Sequence, residues 1–516
     1  MAPVSAIVLR DGRIGVGGQP GNVVISEGTV TATAPGAEAP GAEVVDLKGA
    51  TVLPGLWDSH VHSAQWALTS RRLDLSSARS AAEAAERAIR AAGERDLTSW
   101  PEGVVVGYGF RDALWPDKPH KDLLLSAAAP VVLVSGDLHA AWLSPAALAR
   151  TGRDGHHDGV LREHECFDVL GGLPAPSQEQ LDDWIIADTR AAAARGVTGI
   201  LDFEYADNVT DWTRRAGQGG VAVRVRCSVP RGRLEEAIER RLRTGDPVPG
   251  GRSGPVGRGS PGGRSGPVGR GNTASGGLLE VGPVKLFADG SLNTRTAYCA
   301  DPYPASGTRG ILEIPPDELE RVMRHAATSG LHPAVHAIGD LANALVLDAF
   351  EKIGCPGRIE HAQLVRAGDA ARFARPGLVV GVQPAHCPDD RDVADIHWHD
   401  RTGRAYPYRA LLEAGAVLEF GSDAPVAPLD PWDGIASAVA RTDDERPPWH
   451  PEQAIGVADA LAASSRGRRT VTVGAAADLV IVATDPSRAT PAELRAMPVL
   501  GTLLGGRWTH RDPVLA

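Results

Sequence analysis

Two histidines one residue apart, His60 and His62, follow the apolar run Thr51-Val-Leu-Pro-Gly-Leu-Trp57. A strand sends alternate side chains to one face, so both imidazoles can reach a single ion. Four further segments each bring up a polar residue: Val284-Lys285, Val335-His336, Glu360-His361 and Gly421-Ser422-Asp423. Four His and one Asp form a donor set that borderline divalent cations favour. A cation held there supports hydrolysis, because it brings the pKa of bound water toward ~7.

The His-x-His spacing alone decides little, since 16 His in 516 residues give about 0.5 such pairs by chance. A second pair, His397 and His399, lies in the charged segment 391–401 with no apolar strand before it, which predicts a loop or short helix. Context separates the two pairs.

The elements that must position these residues follow from the pattern around them. Apolar runs at 52–58, 197–203, 221–227, 281–287, 332–337, 358–362, 378–383 and 417–422 alternate with helical stretches, such as that from Pro316 to Ala326. This alternation predicts an α/β fold, a (β/α)8 TIM-like barrel over 51–464, with each candidate ligand at or near the C-terminal end of its strand. Short strands broken by turns at both ends, 1–50 and 465–516, predict one small β-sandwich domain built from both termini. Residues 64–190 carry their own helix near 80–90 and strands near 103–108 and 130–135. They are expected to form a subdomain inserted after strand one, over the barrel mouth. Within the Gly/Arg/Pro-rich stretch 245–277, one ten-residue sequence occurs identically at 250–259 and 262–271, which predicts a flexible loop.

The stretches Gly55-Leu-Trp-Asp-Ser-His-Val-His62, Val284-Lys-Leu-Phe-Ala-Asp-Gly-Ser-Leu292 and Phe420-Gly-Ser-Asp-Ala-Pro-Val426, with Ala334–Asp340 and Arg358–Ala362, resemble the amidohydrolase superfamily. Within it the chain is similar to amidohydrolase family 3, the group that includes N-substituted formamide deformylase. The resemblance covers nearly the whole chain apart from the Gly/Arg loop. It implies that His60 and His62 bind the more buried of two Zn2+ ions and that His336 and His361 bind the second. Lys285 then bridges the two as a carbamate made with carbon dioxide, since an ammonium has no lone pair to offer. A buried salt bridge, to Asp289 for instance, is the alternative for Lys285. Asp423 is expected to ligate the first ion and to act as general base toward a metal-bound hydroxide and as acid toward the leaving nitrogen.

Candidate substrate contacts are His139, Trp142, Asp289, Arg111 and Gln383, with Trp115 beside them; Asp340 is a candidate to orient His336. The implied activity is hydrolysis of a C–N bond other than a peptide bond, in an amide or N-substituted formamide. An ester or cyclic-amide hydrolase on the same scaffold is the alternative, and an inactive barrel acting as a binding protein is another. The expected partner is a small-molecule substrate. A net charge of −11 argues against nucleic acid. The chain has no run of ~20 apolar residues to suit a membrane, and five scattered Cys fit a cytoplasmic protein with reduced thiols. A homodimer is left open.

Overall fold

The computed structural model describes residues 6–93, 103–112, 115–136, 140–162, 164–173, 176–248, 277–304 and 306–515. The repeated segments at 250–271 lie outside the described residues, as does His139. The chain divides into two compact units, residues 1–63 with 186–516, and residues 64–185.

The larger unit holds an eight-stranded sheet in which every neighbour is parallel, in the order Val417–Phe420, Leu378–Val382, Gly357–His361, Pro333–Ala337, Leu279–Phe287, Arg224–Pro230, Val197–Asp202, Leu56–Val61. The last and first strands approach through a parallel bridge between Val61 and Ala424. Two backbone hydrogen bonds reinforce it, Asp423 N to His60 O at 2.8 Å and His62 N to Ala424 O at 2.9 Å. The result is a nearly closed TIM-like barrel, and closure occurs at the two segments that carry the candidate ligands.

Helices cover the barrel through apolar stripes. Pro316–Thr328 buries Leu319, Val322, Met323 and Ala326, a one-face spacing of three and four residues. Each such side chain withdrawn from water stabilises the fold by about 1.5–3 kcal/mol for its larger members. Asp340–Ile353 ends at Gly354, whose φ of 75° closes the helix in a left-handed cap.

The strands of the two termini share one hydrogen-bonded sheet of eight strands. It runs Arg507–Arg511, Val499–Leu504, Leu479–Val482, Thr51–Pro54, Ile7–Ile14, Pro20–Ser26, Thr29–Ala34, with Glu43–Asp46 also beside Ile7–Ile14. Leu9, Val23, Ile25, Val52, Leu479, Ile481 and Leu503 form its core. The apolar run 52–58, expected as one strand, is divided between sheets. Thr51–Pro54 pairs antiparallel with Leu479–Val482, whereas Leu56–Val61 pairs with the barrel strand Val197–Asp202. An extended run looks the same whichever partner accepts its hydrogen bonds, so the alternation of side chains does not mark the change.

The smaller unit contains a five-stranded sheet, in the order Val160–Arg162, Ala140–Leu143, Val131–Ser135, Val105–Phe110, Leu73–Asp74. The helix Ala81–Gly93 turns its alanines 81, 84, 85, 88 and 91 into the core with Phe110, Leu133 and Trp142. Among the described residues, no helix is long and apolar enough to cross a membrane.

Candidate metal centre

Six residues converge at the C-terminal ends of the barrel strands. His60 lies near the end of Leu56–Val61 and His62 just past it; Lys285 and His336 lie in Leu279–Phe287 and Pro333–Ala337. His361 ends Gly357–His361, and Asp423 follows Val417–Phe420. Asp423 Oδ1 is 3.4 Å from His60 Nε2 and 3.5 Å from His62 Nε2. Lys285 Nζ is 3.1 Å from His60 Nε2 and lies over the rings of Phe203 and Phe287, at 4.3 and 5.1 Å from their centroids. The His361 ring centroid is 5.0 Å from that of His60 and 4.3 Å from that of His336. Donor atoms of His60, His62 and Asp423 lie within 4.8 Å of one another, and those of His361, His386 and Asp423 do the same.

Two of these residues depart from ordinary backbone geometry. His361 has φ of 77° and Asp423 φ of 60°. Non-glycine residues adopt this left-handed region at an energetic cost, most often where the surrounding fold demands it. The turn at 361 lets consecutive side chains, Glu360 and His361, both serve the site, which a regular strand forbids.

Burial sets the charge state. It drives His60 down to about 4 and His336 to about 3, with the Lys285 charge adding to both, and pushes His361 well below its ordinary value. The imidazoles are therefore neutral and keep a lone pair. Burial also lowers the Lys285 amine to about 8, against the opposing pull of Glu360 and Asp423. Burial alone would raise Asp423, but the pull of His60, the hydrogen bond from His62 and the pull of His361 hold it well below its ordinary value, so a proton entering this cluster goes to an imidazole rather than to the carboxylate. Meanwhile His62 Nδ1, His361 Nδ1 and His386 Nε2 are buried without a hydrogen-bond partner among the described residues. Buried donors and acceptors are costly unless satisfied. Neutral imidazoles, orphaned ring nitrogens and an ionised carboxylate fit a divalent cation.

A charged ladder inside the barrel fixes His60. Glu360 Oε2 accepts from His60 Nδ1 at 2.9 Å, which leaves the Nε2 lone pair facing the cluster. Glu360 Oε1 accepts from Arg358 Nε at 2.6 Å, and Arg358 also donates to Glu419. Burial would raise Glu360, but Arg358 dominates and holds it at about 2. Space for the ladder comes from glycines on the neighbouring strands. A Cβ on Gly381 would stand 2.0 Å from Glu360 Oε2, and one on Gly421 would stand 2.5 Å from His60 N. Asp58 Oδ1 ties the closure together, accepting from His60 N at 3.2 Å and Ser422 N at 2.9 Å.

Residues 43–510 match the amidohydrolase family. The chain belongs to that family. It is 28% identical to the protein YtcJ of Bacillus subtilis (strain 168), covering 91% of this chain and 90% of that one. It is 25% identical to the N-substituted formamide deformylase of Arthrobacter pascens, again over 91% of this chain and 90% of the relative. Among solved structures, an uncharacterized metal-dependent hydrolase from Pyrococcus horikoshii OT3 superposes with a TM-score of 0.75 at 25% identity, covering 95% of this chain and 99% of that one.

Other residues expected to serve this amidohydrolase-family site fall in different places. His336 Nε2 lies 3.1 Å from the Gly290 carbonyl, so that nitrogen carries the proton and Nδ1 keeps the lone pair. Asp289 is committed to backbone: its oxygens accept from Tyr298 N, Ile338 N and Gly339 N at 2.8, 3.0 and 2.8 Å. It therefore pins the loop beyond strand four, and the neighbours of the Lys285 amine are instead His60 Nε2 and two aromatic rings. Asp340 accepts from Ala300 N and Arg404 rather than from His336. Gln383 is buried with its amide nitrogen 3.3 Å from His60 Nδ1, so it packs against that ring, whose Nδ1 hydrogen goes to Glu360. Trp142, expected to touch substrate, is wholly buried in the core of the smaller unit, its ring 6.3 Å from that of Phe110. Arg111 is exposed at the end of Val105–Phe110, beside Gly136, and Trp115 donates to Ala78 O.

Two residues at the site escaped the sequence reading. Glu360 carries no signal of its own in the sequence, because it directly precedes a candidate ligand in a strand pattern that sends consecutive side chains to opposite faces. His386 begins the helix His386–His397, four residues past the strand Leu378–Val382. Its position just beyond a barrel strand is the signal that could have found it.

Proposed function

We propose that this chain is a metal-dependent amidohydrolase that cleaves a C–N bond in an amide or N-substituted formamide. The observation that carries this reading is the convergence of buried imidazoles on Asp423 at the C-terminal ends of the barrel strands, those of His62 and His361 with a ring nitrogen unpartnered among the described residues. Membership of the amidohydrolase family and likeness to a formamide deformylase support the choice of bond.

His60, His62, His361 and Asp423 would hold the metal, which when bound supplies activation of water and polarisation of the carbonyl. Asp423 takes the proton from the attacking water and returns it to the departing nitrogen, the step that lets an amine leave. Glu360 keeps His60 in the tautomer whose Nε2 is free. The Lys285 amine, pulled down to about 8, spends a fraction of its time neutral at physiological pH. That form would add carbon dioxide through nitrogen and lose a proton, and the anionic carbamate so made would give Lys285 oxygen donors for zinc that an ammonium lacks. Tyr205 stacks against His62 at 5.3 Å, and Phe287 lies 5.2 Å from the His336 ring. Together they offer an apolar wall for the nitrogen substituent.

The test is turnover by metal-loaded protein of a panel of N-alkyl and N-benzyl formamides, acetamides, cyclic amides and esters, with release of amine or alcohol measured. Formamide or amide cleavage that chelator removes and zinc restores supports the reading. Cleavage confined to esters or cyclic amides, or equal rates after chelation, refutes it.

A further inference from the structure

We propose that His386 is a metal-binding residue, completing with His361 and Asp423 a second three-donor set for a divalent cation beside that of His60, His62 and Asp423. The inference rests on the metal-dependent reading above and adds a ligand to it. Donor atoms of His361, His386 and Asp423 all lie within 4.8 Å of one another. Proximity alone is weak, because acidic and imidazole groups often cluster. The second observation is that His386 is only 6% exposed and its buried Nε2 has no hydrogen-bond partner among the described residues, while His361, 4% exposed, leaves Nδ1 in the same condition.

A buried ring nitrogen without a partner is expensive, and a buried imidazole normally spends both nitrogens. A cation bound through these two nitrogens would satisfy both. Local structure holds His386 in place: it opens the helix His386–His397, and its backbone N–H donates to Gln383 O at 3.1 Å. Gln383 in turn lies against His60, so the segment that follows strand seven is tied to the first donor set at one end and supplies a donor at the other. Asp423 can serve both sets because a carboxylate has two oxygens, and Oδ1 already faces His60 and His62. His336 donates its Nε2 hydrogen to the Gly290 carbonyl and keeps its Nδ1 lone pair, so it stays available as a further imidazole donor beside this set. Two imidazoles and a carboxylate are ligands for zinc or a similar borderline ion.

The test compares the unaltered chain with His386→Gln and His386→Cys, each stripped of metal and titrated with Co2+. Metal per chain and visible absorption are read, and melting of the metal-free forms checks the fold. The unaltered chain is expected to take two equivalents. His386→Gln should bind the second at least about 100-fold more weakly, since losing even an outer partner of a ligand costs 10–100-fold. His386→Cys should show a thiolate-to-cobalt charge-transfer band, which only direct ligation produces. A second equivalent bound as tightly by His386→Gln, or bound cobalt without that band in a folded His386→Cys, overturns the assignment. No uptake by the unaltered chain overturns the metal-dependent reading itself, and this assignment with it.

Discussion

Replacing Glu360 by Gln preserves shape and removes one charge, and the ladder through the barrel makes the consequence calculable. Glu360 takes two hydrogen bonds at once, from Arg358 Nε at 2.6 Å and from His60 Nδ1 at 2.9 Å, and is fully buried. A glutamine has a single side-chain acceptor, so one of these donors must face an NH2 group. A buried donor left unsatisfied costs about 1–3 kcal/mol, and removing one partner of a buried ion pair about 3–5 kcal/mol. Protonation gives an independent figure. Holding the carboxyl at about 2 instead of 4.5 corresponds to about 3 kcal/mol at neutral pH. The folded-state value is depressed, so this contribution is present above pH 4.5 and disappears as pH falls toward 2. Metal-free Glu360→Gln should therefore lose about 3 kcal/mol at pH 7, read from denaturant unfolding followed by tryptophan fluorescence. Its deficit should shrink as the pH is lowered through that window. Its affinity for zinc should also fall by about 10–100-fold, because His60 loses the group that fixes its tautomer. A variant as stable as the unaltered chain at pH 7, with the same acid limb, would show that the ladder is ornamental.

Three other outcomes follow from the same geometry. Gly381→Ala places a Cβ 2.0 Å from Glu360 Oε2 and 2.9 Å from Arg358 Nη2; it should cost about 1–3 kcal/mol by crowding and lower zinc affinity, measured by unfolding and by competition with a chelator. Lys285→Met should stabilise the metal-free protein at pH 7 by about 1–3 kcal/mol while metal content drops to one equivalent and turnover is lost. The sign follows from an amine pulled from 10.5 to about 8 by burial: the folded state disfavours its charge fully below pH 8, and the gain fades as pH rises from about 8 to 10.5. Asp423→Asn should retain metal better than activity, with the rate falling at least about 100-fold in steady-state assays.

Much of this arrangement could be read from the sequence because the pieces that mattered are local. A strand of five or six apolar residues ending in His or Lys announces its own position, and the barrel strands fall on or beside the eight runs that the pattern marks. His60, His62, Lys285, His361 and Asp423 each close such a run. What local pattern misses depends on partners distant in sequence. The run 52–58 gave no sign that it feeds two sheets, because Leu479–Val482 accepts one half and Val197–Asp202 the other. The role of Glu360 depends on a left-handed turn at His361 and on room left by Gly381. Trp142 reads from its neighbours as a substrate contact, and only the packing of Ala81–Gly93 against it shows an indole used as core. Asp289 followed the lysine strand and invited a role in the pocket, yet three backbone amides beyond reach of any sequence pattern claim its oxygens.

If these side chains hold metal, elemental analysis of the purified protein will find it. The purified protein is expected to carry close to two equivalents of zinc or a similar divalent ion per chain. No bound metal, even after reconstitution with zinc and bicarbonate, would contradict it.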